Sequence, residues 1–139
     1  GSKLTVHTTL DNNISILKLF PGIPASTVEG VLQTKGLRAV ILETYGSGNA
    51  PTQSCLLKAL KDVVARGVII LNISQCSGGM VIQGKYETSR ELQEIGVIGG
   101  SDMTTEAAVT KLMLLLGSHP EAQVRKLLVK NIAGELTPS

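Results

Sequence analysis

Aromatic residues are scarce in this 139-residue sequence, which has no Trp, two Tyr and one Phe. Proteins that bind single-stranded nucleic acid stack bases on successive aromatic rings along a basic groove, so the composition argues against that class. The net charge is only +2, from thirteen basic and eleven acidic residues. Because this balance gives no strong field for phosphate backbones or anionic lipids, we expect neither nucleic acid nor a membrane as a partner.

Long hydrophobic runs and closely spaced metal ligands are also missing. The longest apolar run is Leu112–Leu116, whereas a membrane-spanning helix needs about 20 residues. Cys55 and Cys76 have no second Cys or His at metal-ligand spacing, which argues against a zinc site or a redox pair. We interpret both as reduced thiols of a cytoplasmic protein without a bound metal.

The length and hydrophobic content suit one globular domain. A chain of this size buries roughly two-thirds of the surface that its unfolded form exposes. Gly1 and Ser2 resemble the remnant of a cleaved tag. We therefore assign residues 3–139 to a single domain and expect it to be part of a longer protein.

Short apolar runs alternate with amphipathic stretches along the chain. Leu37–Leu42 and Val68–Ile73 are typical of strands buried on both faces, and the apolar stripe from Leu56 to Val64 between them predicts a helix that ends at Gly67. Strand, helix and strand in this order form a right-handed βαβ unit, so the predicted class is α/β. Further strands are predicted at Lys3–Thr9, Ile14–Phe20 and Val97–Ile98, and further helices from Pro24 to Gly36, around Glu87–Ile95, from Asp102 or Thr104 to Gly117, and from Pro120 to a polar tail at Gly134.

Two loops follow the buried strands, at residues 45–51 and 74–79, where parallel sheets bind their ligands. In the first loop Gly46 and Gly48 are followed by Pro51 instead of a third glycine, and no phosphate-binding Lys is present. We therefore predict no nucleotide and no other cofactor. The Asn49 amide has two donors and one acceptor, and it either binds a ligand or caps the next helix.

Other polar residues near these loops have equally ordinary structural explanations. Cys76 is either a small buried hydrophobe or a ligand contact, and Tyr86 lies on a polar stretch that is typical of a solvated surface. No nucleophile lies beside a His or Lys, and no pair of acids is placed for proton transfer. The residues alone therefore predict no catalytic set.

Several segments, taken in order, carry a resemblance to a known family. They are Ile41–Pro51, Asn72–Cys76, Gly96–Ala107 and Gly134–Pro138, and Pro21-Gly22-Ile23-Pro24 fits as well. They are similar to the C-terminal domain of cytosolic, type I L-asparaginases. The resemblance covers nearly all of the chain and implies a small three-layer, flavodoxin-like domain, with a mostly parallel sheet of about four strands and flanking helices.

The family resemblance also implies an activity that this chain does not contain by itself. Enzymes of the family hydrolyse asparagine to aspartate and ammonia with a threonine nucleophile, a second threonine, an aspartate and a lysine, all in an N-terminal domain. The hallmark strings Thr-Gly-Gly-Thr and Thr-Asp-Thr do not occur here. The resemblance therefore implies that the chain is the C-terminal domain alone, that it has no catalytic residue, and that it is inactive in isolation.

In the family, the C-terminal domain of one protomer reaches into the active site of its neighbour. The residue that matches this role is Asn49, within the Ser47-Gly48-Asn49 segment, and Tyr86 is a weaker candidate for the same surface. The resemblance thus implies asparagine, the N-terminal asparaginase domain and the neighbouring protomer of a homodimer or homotetramer as partners.

Some family members bind asparagine at a second, activating site lined partly by a cysteine and an arginine. Cys76 matches that cysteine, but Glu43 stands where the arginine is expected. A carboxylate there repels the carboxylate of an effector, which argues against this site.

Two alternatives remain open. A free-standing flavodoxin-like binding or signalling domain needs a glycine-containing phosphate loop or clustered acids, and the segment Thr8-Thr9-Leu10-Asp11-Asn12 has neither. A related glutaminase or transfer-RNA-dependent amidotransferase has the same C-terminal architecture, and the N-terminal half decides between these substrates.

Overall fold

The computed structural model describes residues 11–20, 22–44, 54–74, 87–100 and 103–135. Within these ranges the elements are β1 (Ile14–Lys18), α1 (Ala25–Leu32), β2 (Ala39–Thr44), α2 (Ser54–Ala65), β3 (Ile69–Ser74), α3 (Glu87–Glu94), β4 (Ile98–Gly99), α4 (Thr105–Ser118) and α5 (Glu121–Glu135). The predicted strand Lys3–Thr9 lies outside the described residues. No helix in these ranges is long and apolar enough to cross a bilayer.

The strands form one sheet in the order β1-β2-β3-β4, and every neighbouring pair is parallel. The apolar runs predicted the two central strands, because strands that are covered on both faces need apolar side chains on both. Val40, Ile41, Ile70 and Leu71 are all fully buried. The α/β class and the four-stranded parallel sheet with flanking helices are confirmed.

The helices cover the two faces of the sheet unequally. One face packs against α1, α2 and α3 in a core that includes Leu42, Leu60 and Leu92. The other face packs against α4 and α5 in a core that includes Ile41 and Leu112. Each strand lies beside its predecessor in the same direction, so three right-handed crossovers place the three connecting helices on one face. The last two helices then cover the other face.

The sequence predicts that glycines end three of the helices. Gly67 does so directly after α2, with φ of 93°, and that predicted end is confirmed. The predicted end of α1 at Gly36 is wrong, because α1 ends at Leu32 with Gln33 as its C-cap, and Gly36, with φ of 78°, lies in the turn that follows. The predicted end of α4 at Gly117 is wrong, because the helix continues to Ser118 and the His119 backbone N–H donates to the Leu115 carbonyl. The polar tail predicted from Gly134 also begins later, since α5 extends to Glu135.

At the amino edge of the sheet, two arginines bind neighbouring elements together. Arg38 Nη1 lies 2.8 Å from Asp11 Oδ2 and 3.2 Å from the Leu116 carbonyl oxygen, so it joins β2 to the end of α4. The Asn13 backbone N–H holds the pKa of Asp11 below its usual 3.8, and Arg38 acts in the same direction. Arg125 of α5 donates to the Val68 carbonyl beside β3 at 3.2 Å.

Candidate functional site

The opposite, carboxyl edge of the sheet is where we look for a functional site, because parallel sheets bind ligands there. β2 ends at Thr44 and β3 ends at Ser74, and these two residues are register partners. Of the predicted site residues, the structure describes Glu43. The others, Ser47, Gly48, Asn49, Cys76 and Tyr86, lie outside the described residues.

A buried polar contact joins β2 and β3 at this edge. The Thr44 hydroxyl lies 2.9 Å from Asn72 Oδ1 and 3.2 Å from the Ile73 carbonyl oxygen, so both acceptors are within hydrogen-bond distance of its single proton. Thr44 and Asn72 both have zero exposure. Because side chains alternate along a strand, these two face the same side as Leu42, toward α1, α2 and α3.

The backbone of β4 approaches β3 closely at the same level. The Gly100 N–H donates to the Asn72 carbonyl oxygen at 2.7 Å. A Cβ atom on residue 100 would lie 2.7 Å from Ile73 Cγ2 and 3.1 Å from that carbonyl oxygen, which leaves no space for any side chain. Glycine at position 100 therefore allows β4 and the chain after it to lie against the end of β3.

Glu43 lies on the other face of β2, toward α4. Its carboxylate accepts a hydrogen bond from the hydroxyl of Thr105, the first residue of α4. Thr104 is the N-cap of this helix, since its side-chain oxygen accepts from the Ala107 N–H at 3.1 Å. Of the two predicted caps, Thr104 is confirmed, and Asp102 lies outside the described residues. A carboxylate at a helix N-terminus also complements the helix dipole.

These contacts hold the carboxyl edge in place from both faces of β2. Thr44 connects β2 to β3 on one face, and Glu43 connects β2 to α4 on the other. Among the described residues, no three His, Cys, Asp or Glu side chains come together as metal ligands. The two hydrogen bonds therefore fix the end of β2 at the point where the chain enters the segment after residue 44.

Thr44, Asn72 and Thr105 were not predicted from the sequence as part of this site. The sequence did contain a signal for Asn72. It is a polar residue within the apolar run Ile69–Ile73, in a strand whose two faces are both covered, so its side chain needs a buried hydrogen-bond partner. The partner of such a residue cannot be identified in advance, because 28 positions separate Thr44 from Asn72 and only strand register brings them together.

Comparison with known proteins gives consistent matches along the chain. Residues 13–128 match the family described as Glutaminase/Asparaginase C-terminal domain. The chain is 40% identical to L-asparaginase 1 of Escherichia coli (strain K12) over 137 residues, covering 98% of this chain and 40% of that protein. It is 42% identical to the 60 kDa lysophospholipase of Homo sapiens over 137 residues, covering 97% of this chain and 24% of that protein.

A solved structure agrees with these sequence matches. The crystal structure of L-asparaginase I from Vibrio cholerae superposes with a TM-score of 0.84 at 38% identity, covering 92% of this chain and 39% of that chain. The chain thus spans well under half the length of the relatives that it matches.

Proposed function

Because this chain belongs to the glutaminase/asparaginase C-terminal domain family, we propose that it is the C-terminal domain of an L-asparaginase, which hydrolyses asparagine to aspartate and ammonia. The observation that carries the proposal is the match of nearly the whole chain to enzymes named L-asparaginase. Those relatives are more than twice as long, so the catalytic groups would come from an N-terminal domain of the same protein.

In this proposal the domain contributes substrate binding and not the nucleophile. Asn49 follows β2 by five residues, and its amide can donate two hydrogen bonds and accept others, which suits the charged end of an amino-acid substrate. Ser47 and Gly48 belong to the same segment, and Tyr86 belongs to the segment after β3. The polar contacts of Glu43 and Thr44 directly before residue 45 support this role, because a binding group needs a rigid base.

The proposed assembly has the substrate between two protomers. Asn49 would complete the active site of the neighbouring protomer in a homodimer or homotetramer, with the N-terminal domain as the other partner. The mild net charge of +2 favours neither nucleic acid nor an anionic membrane, and we place the enzyme in the cytoplasm with its type I relatives.

Ammonia release tests the proposed function directly. We expect the full-length protein to release ammonia from asparagine and the purified 139-residue chain to release none, because the proposed nucleophile lies outside this chain. A coupled ammonia assay on both proteins, at several protein concentrations, measures this. A rate that scales with the concentration of the short chain would contradict its predicted inactivity, and a full-length protein inactive on asparagine and on glutamine would contradict the amidohydrolase assignment.

The proposal includes no activating effector site at Glu43 and Cys76. The Glu43 carboxylate already accepts a hydrogen bond from Thr105, and a second carboxylate beside it would be repelled. We therefore expect the rate of the full-length enzyme to depend hyperbolically on asparagine concentration, with a Hill coefficient of about 1. A sigmoidal dependence would show that the effector site is present and that Glu43 is compensated elsewhere.

Other substrates remain the alternatives within the family. The family name includes glutaminase, and one relative is named a lysophospholipase, so the C-terminal domain alone does not determine the substrate. A transfer-RNA-dependent amidotransferase is a further alternative. Parallel assays of the full-length protein on asparagine, glutamine and a lysophospholipid distinguish an asparaginase, a glutaminase and a lysophospholipase. Among the described strands, β1 to β4 follow one another without the reversal that opens a ligand crevice in doubly wound folds, which argues against a free-standing flavodoxin-like binding domain.

A further inference from the structure

Thr44 and Asn72 are an unusual pair for their surroundings. They are the two fully buried polar side chains in the described part of the chain, and the neighbouring strand residues Leu42, Ile70 and Ile73 are apolar and equally buried. Both lie at the carboxyl ends of the two central strands, with the Thr44 hydroxyl 2.9 Å from Asn72 Oδ1.

Stability alone does not explain this pair. A buried hydrogen bond contributes little net stability, because the folded state gives up hydrogen bonds to water in exchange, and apolar residues of similar shape are often as stable. A satisfied buried polar pair does restrict geometry, because leaving either partner unpaired is costly. The Thr44–Asn72 contact therefore selects one register and one rotamer at the end of β2.

The pair lies where the chain leaves β2, so its hydrogen bond restricts the position of the strand end. Thr44 is the last residue of β2, and its hydroxyl is bound on the face of α1, α2 and α3, while the adjacent Glu43 is bound to Thr105 on the opposite face. The main chain of Asn72 is held as well, through the Gly100 N–H at 2.7 Å. The point at which the chain leaves β2 is thus held from both faces of the sheet.

We propose that Thr44 and Asn72 are positioning residues for substrate binding: their buried hydrogen bond sets the end of β2, from which the segment that carries Asn49 begins. This inference rests on the proposed function of Asn49. It does not give Thr44 contact with the substrate; the hydroxyl acts through the backbone of β2.

The test uses the full-length enzyme and steady-state kinetics with asparagine. Thr44→Val keeps the shape of the side chain but removes the hydroxyl, and Thr44→Ser keeps the hydroxyl. We expect Thr44→Val to raise KM about tenfold with a smaller change in kcat, because a misplaced binding group weakens substrate binding. Thr44→Ser is expected to stay within about twofold of the wild type.

A double-mutant cycle separates positioning from a merely structural role. If Thr44 acts through Asn49, then Thr44→Val raises KM in the wild-type background but not in the Asn49→Ala background. Ile41→Val serves as the matched control, because it removes one methyl group from the same buried strand on the opposite face. We expect the control to lower Tm slightly and leave KM unchanged.

The outcomes distinguish the two proposals. A wild-type enzyme that does not hydrolyse asparagine contradicts the proposed function and this inference together. An active wild type in which Thr44→Val leaves KM unchanged, raises it equally in both backgrounds, or behaves like Ile41→Val contradicts the positioning role alone.

Discussion

Asn49→Ala in the full-length enzyme is expected to lower kcat/KM for asparagine by about 10- to 100-fold. A hydrogen bond to a charged group contributes about 1.5–3 kcal/mol, and each 1.4 kcal/mol corresponds to a factor of about ten. We expect the loss to appear mainly in KM, because an amide that holds the charged end of the substrate contributes to ground-state and transition-state binding alike.

The measurement is steady-state ammonia release, together with circular dichroism and Tm to establish that the fold is intact. Asn12→Ala is the matched control, because Asn12 is an exposed asparagine just before β1, at the amino edge of the sheet. It should leave both kcat and KM unchanged. Unchanged kinetics for Asn49→Ala would contradict the substrate-binding role and would favour the alternative in which Asn49 only caps the next helix.

Leu112→Ala is expected to produce the largest loss of stability, about 3 kcal/mol. Leu112 lies in the middle of α4 with zero exposure and packs in the core between this helix and β2 and β3. Removing its side chain leaves a cavity that the neighbouring strands cannot close, and such Leu→Ala changes cost about 2–5 kcal/mol. For a domain of this size the expected fall in Tm is roughly 10 °C.

Leu114→Ala provides the control on the same helix. The Leu114 side chain is 40% exposed. Leu114→Ala removes the same atoms as Leu112→Ala and changes the helix propensity of α4 by the same amount. We expect it to change the free energy of unfolding by less than about 0.5 kcal/mol. Thermal and urea unfolding of the 139-residue chain measures both variants. Equal effects of the two would contradict the described orientation of α4.

The sequence was most informative where burial and backbone conformation are local. The apolar runs that predict β2 and β3 are continuous because both faces of these strands are covered, and Gly67 ends α2 because only glycine adopts left-handed backbone readily. The same rule failed at Gly36, because α1 already ends at Leu32, and at Gly117, because α4 continues to Ser118. Family membership followed from ordered segments that the comparisons confirm over residues 13–128.

The candidate site was predicted only in part. The family resemblance identified the candidate residues Glu43, Ser47, Gly48, Asn49, Cys76 and Tyr86. The folded structure added three residues: Thr44, Asn72 and Thr105. The carboxylate of Glu43 is bound by a residue 62 positions away, and no local pattern predicts such a contact. Hydrophobic periodicity specifies that a position is buried, but not which distant polar group will lie beside it.

The sequence by itself therefore determined the α/β class, the buried strands, the end of α2 and the family, because these depend on local periodicity, glycine conformation and shared motifs. Only the tertiary structure decided the strand order, the division of the described helices between the two faces of the sheet, and the contacts of Thr44 with Asn72 and of Glu43 with Thr105. The physical reason is strand register: parallel pairing brings residues from distant parts of the chain into contact at the carboxyl edge, and that pairing is a property of the whole sheet.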